Sequence, residues 1–145
     1  MHWHPRHLTR MYSKEDMMVK HESPEYWSNL IKMSLSRFFI LHVLHHQAVH
    51  GYEITKRVAA ITHGCCAPTE GSLYPVLREF MDAGLVDVEA EVVSGRERKV
   101  YTLTPSGERA YETAGNAWKE VAGYILSSIR LDDESRVISK PLEEE

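Results

Sequence analysis

The 145-residue chain has only two cysteines, Cys65 and Cys66, and they are adjacent. That excludes a disulfide framework and fits a reducing compartment. No run of eighteen or more apolar residues is present, so no membrane-spanning helix is expected. The amino terminus, Met1-His2-Trp3-His4-Pro5-Arg6-His7, carries His and Arg without the apolar stretch of a signal peptide, and a cytoplasmic location is the expectation. Enzymatic signatures are missing as well: there is no strand-to-helix nucleophile elbow, no phosphate-binding Gly loop and no His-Glu-x-x-His run. Net positive charge is also lacking. Lys and Arg number 17 against 21 Asp and Glu, a formal charge of −4. A chain that binds a polyanion must therefore concentrate its basic residues locally, because affinity for a duplex comes largely from neutralised phosphates.

What is present is ordered. A helix start is expected at Ser23-Pro24-Glu25, with Ser23 as cap and Pro24 at the first helical position. Trp27, Leu30, Ile31, Leu35, Phe38, Phe39 and Leu41 follow at helical spacing, with Ser34 and Ser36 marking a break between an amino-terminal helix and the first core helix. Residues 1–22 show no clean periodicity and read as a lead-in arm. Gly51 is expected to stop the first core helix. Tyr52–Ile61 then form a second, with Ile54, Val58 and Ile61 inward and Lys56 and Arg57 outward.

A third helix is expected between Thr69 and Ala83, closed by Gly84, with an apolar stripe of Leu73, Val76, Leu77 and Phe80. Gly71, Tyr74, Arg78 and Asp82 lie on its opposite face. Two caps compete: Ser72 would put Pro75 in the first turn, where a missing N–H costs nothing, and Thr69 would put a kink there. Val86-Asp87-Val88-Glu89-Ala90-Glu91-Val92 alternates as a half-buried strand. Ser94-Gly95 turns the chain, and Arg98–Leu103 returns with Tyr101 and Leu103 on one face. Arg96, Arg98 and Lys99 concentrate positive charge on this two-stranded wing. Thr104 can cap and Pro105 can start the last helix, whose stripe of Ala114, Trp118, Val121, Ile125 and Ile129 has no place in an already filled small core.

The segments Gly51-Tyr52-Glu53-Ile54, Gly71-Ser72-Leu73-Tyr74-Pro75 and Ser94-Gly95-Arg96-Glu97-Arg98-Lys99-Val100-Tyr101-Thr102-Leu103-Thr104-Pro105-Ser106-Gly107, in this order, resemble the PadR family of bacterial transcriptional regulators. The resemblance runs from about Ser34 to about Arg130. It implies a mainly α fold with a small antiparallel β-wing, a winged helix-turn-helix with amino- and carboxy-terminal dimerisation helices. The corresponding layout is an arm and helix over 1–33, a DNA-binding domain over 34–104, a dimerisation helix over 105–131 and an acidic tail over 132–145. The resemblance further implies a homodimer, usually a repressor, bound to double-stranded DNA at a two-half-site operator and not to a membrane, with small-molecule effectors held near the dimer interface in some members. Residues that match the family's DNA-contacting segments are Ser72, Tyr74, Pro75, Arg96, Arg98 and Lys99.

From the residues themselves, Tyr74 and Arg78 are the long donors on the outward face of the third helix, placed to read base edges in the major groove. Plainer roles compete: Tyr74 can pack, and Arg78 can pair with Glu79 or Asp82. Trp27, Ile31, Trp118, Val121, Ile125 and Ile129 are the expected dimer interface. No cofactor is expected. His63, Cys65 and Cys66, in the loop before the third helix, are candidate ligands for a transition or soft metal, with His42 or His46 joining only if the first helix passes beside them. The competing reading leaves them as ordinary loop residues, and thiol-based sensing by Cys65 and Cys66 is a third. A winged helix used as a protein-interaction module, without specific DNA binding, is the alternative function.

Overall fold

The computed structural model describes residues 13–138. The order is α1 (Lys14–Glu22), α2 (Pro24–His46), β1 (Val49–His50), α3 (Gly51–Thr62), α4 (Glu70–Asp82), β2 (Val86–Val93), β3 (Arg96–Leu103) and α5 (Pro105–Ile138). The fold is mainly helical with one small antiparallel sheet, as the sequence led one to expect.

Several expectations are corrected. Within the expected arm, residues 14–22 are a helix, while residues 1–12 lie outside the described residues. Its start is a capping box: Asp16 N–H donates to Ser13 Oγ at 3.1 Å and Ser13 N–H donates to Asp16 Oδ2 at 3.2 Å. Helix α2 runs unbroken past Ser34 and Ser36. The Ser34 hydroxyl is satisfied by donating to the Ile31 carbonyl at 2.9 Å, so it does not compete with the helix. Pro24 does occupy the first turn, but Ser23 makes no side-chain cap; its hydroxyl donates to Glu25 instead. Gly51 does not stop a helix. The stop comes after His46, and Gly51 is the first residue of α3. Ile61, expected inward, is exposed. Helix α5 continues through the first residues of the expected acidic tail to Ile138, and Glu143, Glu144 and Glu145 lie outside the described residues.

The core gathers Ile40, Leu41, Val43 and Leu44 of α2, Ile54 and Val58 of α3, the predicted stripe Leu73, Val76, Leu77 and Phe80 of α4, and Val49, Val86 and Tyr101 of the sheet. Burying side chains of this size is worth roughly 1.5–3 kcal/mol each, which is what fixes α4 against α2 and α3. The sheet has the order β1-β3-β2, with Val49 opposite Tyr101 and Val86 opposite Leu103. The wing is therefore three-stranded at its base. Ser94 and Gly95 have φ of 52° and 76°, the left-handed pair that a two-residue hairpin turn requires. Strand β2 is not half-buried as expected: Val86 is in the core, whereas Val88 and Val92 are exposed because the hairpin projects beyond the helices.

Candidate nucleic-acid interface

Thr69 is the cap that α4 uses, with Ser72 N–H donating to its hydroxyl at 3.3 Å. The Ser72 hydroxyl in turn donates to the Thr69 carbonyl at 3.1 Å, so Ser72 is committed to building the helix start. Pro75 consequently lies inside the helix. Because the stripe on the other side is buried, Tyr74 and Arg78 face outward; Tyr74 is 46% exposed. Of the two partners expected for Arg78, Glu79 pairs instead with Arg37 of α2 at 3.0 Å, and among the described residues no ion pair joins Arg78 to Asp82.

Tyr74 meets the wing through Gly51. A Cβ on Gly51 would sit 3.1 Å from Tyr101 Cε2 and 3.3 Å from the Tyr74 hydroxyl oxygen, so a side chain there would make the two rings give by a few tenths of an ångström. Burial, with Tyr74 close by, raises the Tyr101 phenol above its ordinary range. Next to Gly51, the Tyr52 hydroxyl accepts from Arg98 Nη1 at 2.7 Å, and the Arg98 guanidinium lies 5.2 Å over the Tyr52 ring. His50 stacks on the same Tyr52 ring, with ring centroids 5.7 Å apart, and its Nε2 bonds Glu91 of β2 at 3.0 Å. Beside them is a cleft of about 250 Å³ lined by Gly51, Tyr52, Tyr74, Glu97, Arg98, Lys99 and Tyr101.

The expected contact residues therefore divide. Tyr74, Arg98 and Lys99 come together in this cleft. Ser72 and Pro75 line a second cleft, of about 410 Å³, on the other side of the α4 start, together with Lys32 and Arg37 of α2. Arg96 is exposed at the wing tip and Arg78 is exposed farther along α4. Gly51, Tyr52, Lys32 and Arg37 were not singled out as site residues from sequence. The Gly-Tyr-Glu segment was visible as a motif, but its purpose shows only when the wing folds back on it.

Trp27, Ile31, Val121, Ile125 and Ile129 are all exposed on the single chain, and Trp118 is half-buried. Trp27 Nε1 donates to the His21 carbonyl at 2.7 Å, tying α1 to α2. At the opposite end of α2, His42 Nδ1 and the Tyr111 hydroxyl of α5 are 2.7 Å apart, and Phe38 stacks on Tyr111 at 5.7 Å. Burial, then the neighbouring His46 and His45, hold His42 below the ordinary imidazole range.

His63 has φ 52° at the carboxy end of α3, and Cys65 is exposed while Cys66 is buried. Among the described residues, no three His, Cys, Asp or Glu side chains converge as a metal shell. Neither His63 nor the His42–His46 pair completes one with the cysteines. No described helix is long and apolar enough to cross a membrane.

Comparison with known proteins agrees with this architecture. The chain is 39% identical over 89 residues to the transcriptional regulator Rv3488 of Mycobacterium tuberculosis, a match that spans 59% of this chain and 80% of that protein. The PadR-like transcriptional regulator of Bacillus cereus superimposes with a TM-score of 0.60 at 26% identity, covering 67% of this chain and 93% of the other. A protein of Streptococcus mutans superimposes with a TM-score of 0.59 at 27% identity, covering 66% of this chain and 87% of the other. A PadR family regulator of Eggerthella lenta, 20% identical, shares the fold with a TM-score of 0.66 over 77% of this chain and 96% of its own. The model of the "Transcriptional regulator PadR-like family" matches residues 40–113, half of the chain and the whole stretch from the core of α2 to the start of α5. The chain belongs to the PadR-like family of transcriptional regulators, a family of regulators and not of enzymes.

Proposed function

We propose that the chain acts in the cytoplasm as a homodimeric repressor that binds a two-half-site operator in double-stranded DNA and is released by a small-molecule, metal or thiol signal. The observation that carries this reading is the cleft where the exposed face of α4 meets the wing, with Tyr74, Arg98 and Lys99 on its walls. In such a module α4 enters the major groove, where Tyr74 and Arg78 read base edges. Arg96, Arg98 and Lys99 reach phosphates or the minor groove, and Arg98 is held in position by Tyr52. Ser72 and Pro75 shape the start of α4, flanked by Lys32 and Arg37. The exposed stripe Trp27, Ile31, Val121, Ile125 and Ile129, with Trp118, would be covered by the same surface of a second copy.

The test is selection of duplexes from a random pool, followed by binding isotherms for wild type, Tyr74→Phe and Arg78→Ala. Each change should relax discrimination between the selected and scrambled sequences by roughly 1–3 kcal/mol. Equal weakening on both sequences would reduce these side chains to positioning contacts. One observation favours a different reading, a docking module for a basic protein: Asp87, Glu89 and Glu91 are exposed along β2. Failure to enrich any sequence, with affinity for random duplex that barely responds to salt, would favour that reading.

A further inference from the structure

The loop between α3 and α4 holds a pair of thiols that the cleft does not use. Cys65 Sγ and Cys66 Sγ lie 3.2 Å apart, with Cys65 exposed and Cys66 only 3% accessible. A disulfide would need about 2.05 Å, so the two are unbonded thiols in contact. Two metal–thiolate bonds of about 2.3 Å would span about 3.8 Å between sulfurs at the tetrahedral angle, but about 3.2 Å at a right angle. The spacing is that of a pyramidal centre with a narrow bite. Zinc would also need two further ligands, and none converge among the described residues.

We propose that Cys65 and Cys66 form a two-thiol site for a monosubstituted trivalent arsenical or a thiophile of the same valence. Such a ligand keeps one valence on carbon, so two sulfurs complete it and no third protein ligand is required. With an arsonous acid R–As(OH)₂, two As–O bonds break and two As–S bonds form. Each leaving hydroxyl departs with a thiol proton as water, and no oxidant or reductant enters. Cys65 offers the open approach and Cys66 closes the chelate. Burial, then the hydrogen bond and charge of Cys65, pushes the Cys66 thiol up to about 11.

The site is wired to the start of α4. Cys66 N–H donates to Thr62 Oγ1 at 3.1 Å, and that hydroxyl donates to the Val58 carbonyl at 2.8 Å, which pins the loop to the end of α3. Thr69, the cap of α4, follows three residues after Cys66. His63 and Gly64, both at positive φ, turn the chain out of α3 into this loop. A ligand seated on the two sulfurs brings its organic substituent into the loop between these anchors, three residues before the cap, and shifts the cap. This coupling rests on the DNA-binding reading above; the thiol site itself does not.

The experiment uses the full-length reduced protein and phenylarsonous acid, followed by intact mass and by titration of free thiols. Wild type should take one equivalent, lose both reactive thiols, resist millimolar monothiol and release the ligand to 2,3-dimercaptopropanol. Cys65→Ser, at an exposed position, keeps the fold and should bind about 100-fold more weakly, because the second bond loses its effective concentration. Cys66→Ala, checked by circular dichroism, should do the same. An adduct lost to monothiol, Cys65→Ser binding within a few fold of wild type, or stoichiometric four-coordinate zinc would each overturn the site. In the loaded wild type, affinity for a selected duplex should fall at least several-fold, with no change in Cys65→Ser. Unchanged affinity in a fully loaded protein would overturn the coupling and leave the thiol site standing.

Discussion

Replacing Gly107 with Ala tests the joint between the wing and α5. Gly107 is buried, and a Cβ there would lie 2.1 Å from the Leu85 carbonyl oxygen, 3.0 Å from Leu103 Cδ2 and 3.1 Å from the Leu85 carbonyl carbon. A carbon–oxygen contact settles at about 3.3 Å or beyond, so one of two backbones must retreat by about 1.2 Å. Neither is free to do so. The Leu85 carbonyl accepts from Thr104 N–H at 3.0 Å, and Gly107 N–H donates to Thr104 Oγ1 at 3.0 Å. Overpacking of this kind costs about 1–3 kcal/mol, and loss of one of these hydrogen bonds adds about 1 kcal/mol. Alanine returns up to about 1 kcal/mol through helix propensity, less in a first turn. A net destabilisation of about 1–3 kcal/mol follows. Urea unfolding of both proteins at one fixed concentration measures it, since the association proposed above would make stability depend on concentration. The 34-residue α5 is about 51 Å long, so re-aiming its start also displaces the distal stripe by several ångströms. Gly107→Ala as stable as wild type, or more so, would show that helix propensity outweighs the close approach and would refute the reasoning.

Three further outcomes are expected. Ala at Arg96, Arg98 and Lys99 together should weaken binding to specific and random duplex alike and lower the salt slope by about one unit per phosphate contact; an unchanged slope across a salt series would remove the wing from the interface. Trp118→Glu with Ile125→Glu should give monomer by sedimentation and abolish tight binding to a two-half-site duplex, whereas an unchanged dimer would place the interface elsewhere. His42 titrates lower in the folded chain than in the unfolded one, so acid favours the unfolded state at this position: its stability contribution is complete above the unfolded imidazole pKa and is lost as pH falls through the folded one. His42→Gln should flatten the stability profile below the ordinary imidazole pKa of about 6.5, and an identical profile would assign the acid sensitivity to other groups.

Most elements were legible because their signals repeat. The stripe of α4, the alternation of β2 and the Thr104-Pro105 start of α5 each depend on several residues that agree. What escaped depends on single contacts. Strand β1 has two residues, too few to alternate, and exists because Val49 and His50 pair with Tyr101 and Val100 of β3. Gly51 read as a helix stop because glycine usually ends helices, yet here its missing side chain makes room for two tyrosines contributed by distant segments. The first turn of α1 was readable in principle from Ser13 and Asp16, a box that a search for apolar periodicity passes over. Of the candidate site, the residue types of the wing were visible. The grip of Tyr52 on Arg98, across 46 positions of sequence, was not.

Pro75 lies inside α4 and has no N–H, so the carbonyl of Gly71, one turn earlier, has no i+4 donor. The ladder of the presumed reading helix thus lacks one rung near its exposed beginning, beside Tyr74. That oxygen is an acceptor belonging to the main chain, and no exchange of side chains on the outer face can delete it. Only position 75 controls it: Pro75→Ala would supply the missing donor, close the rung and withdraw an acceptor from water or from a docked amino group while every long side chain stayed in place. Two relatives with identical long outward residues could therefore differ in what they accept at this turn, by one imino acid.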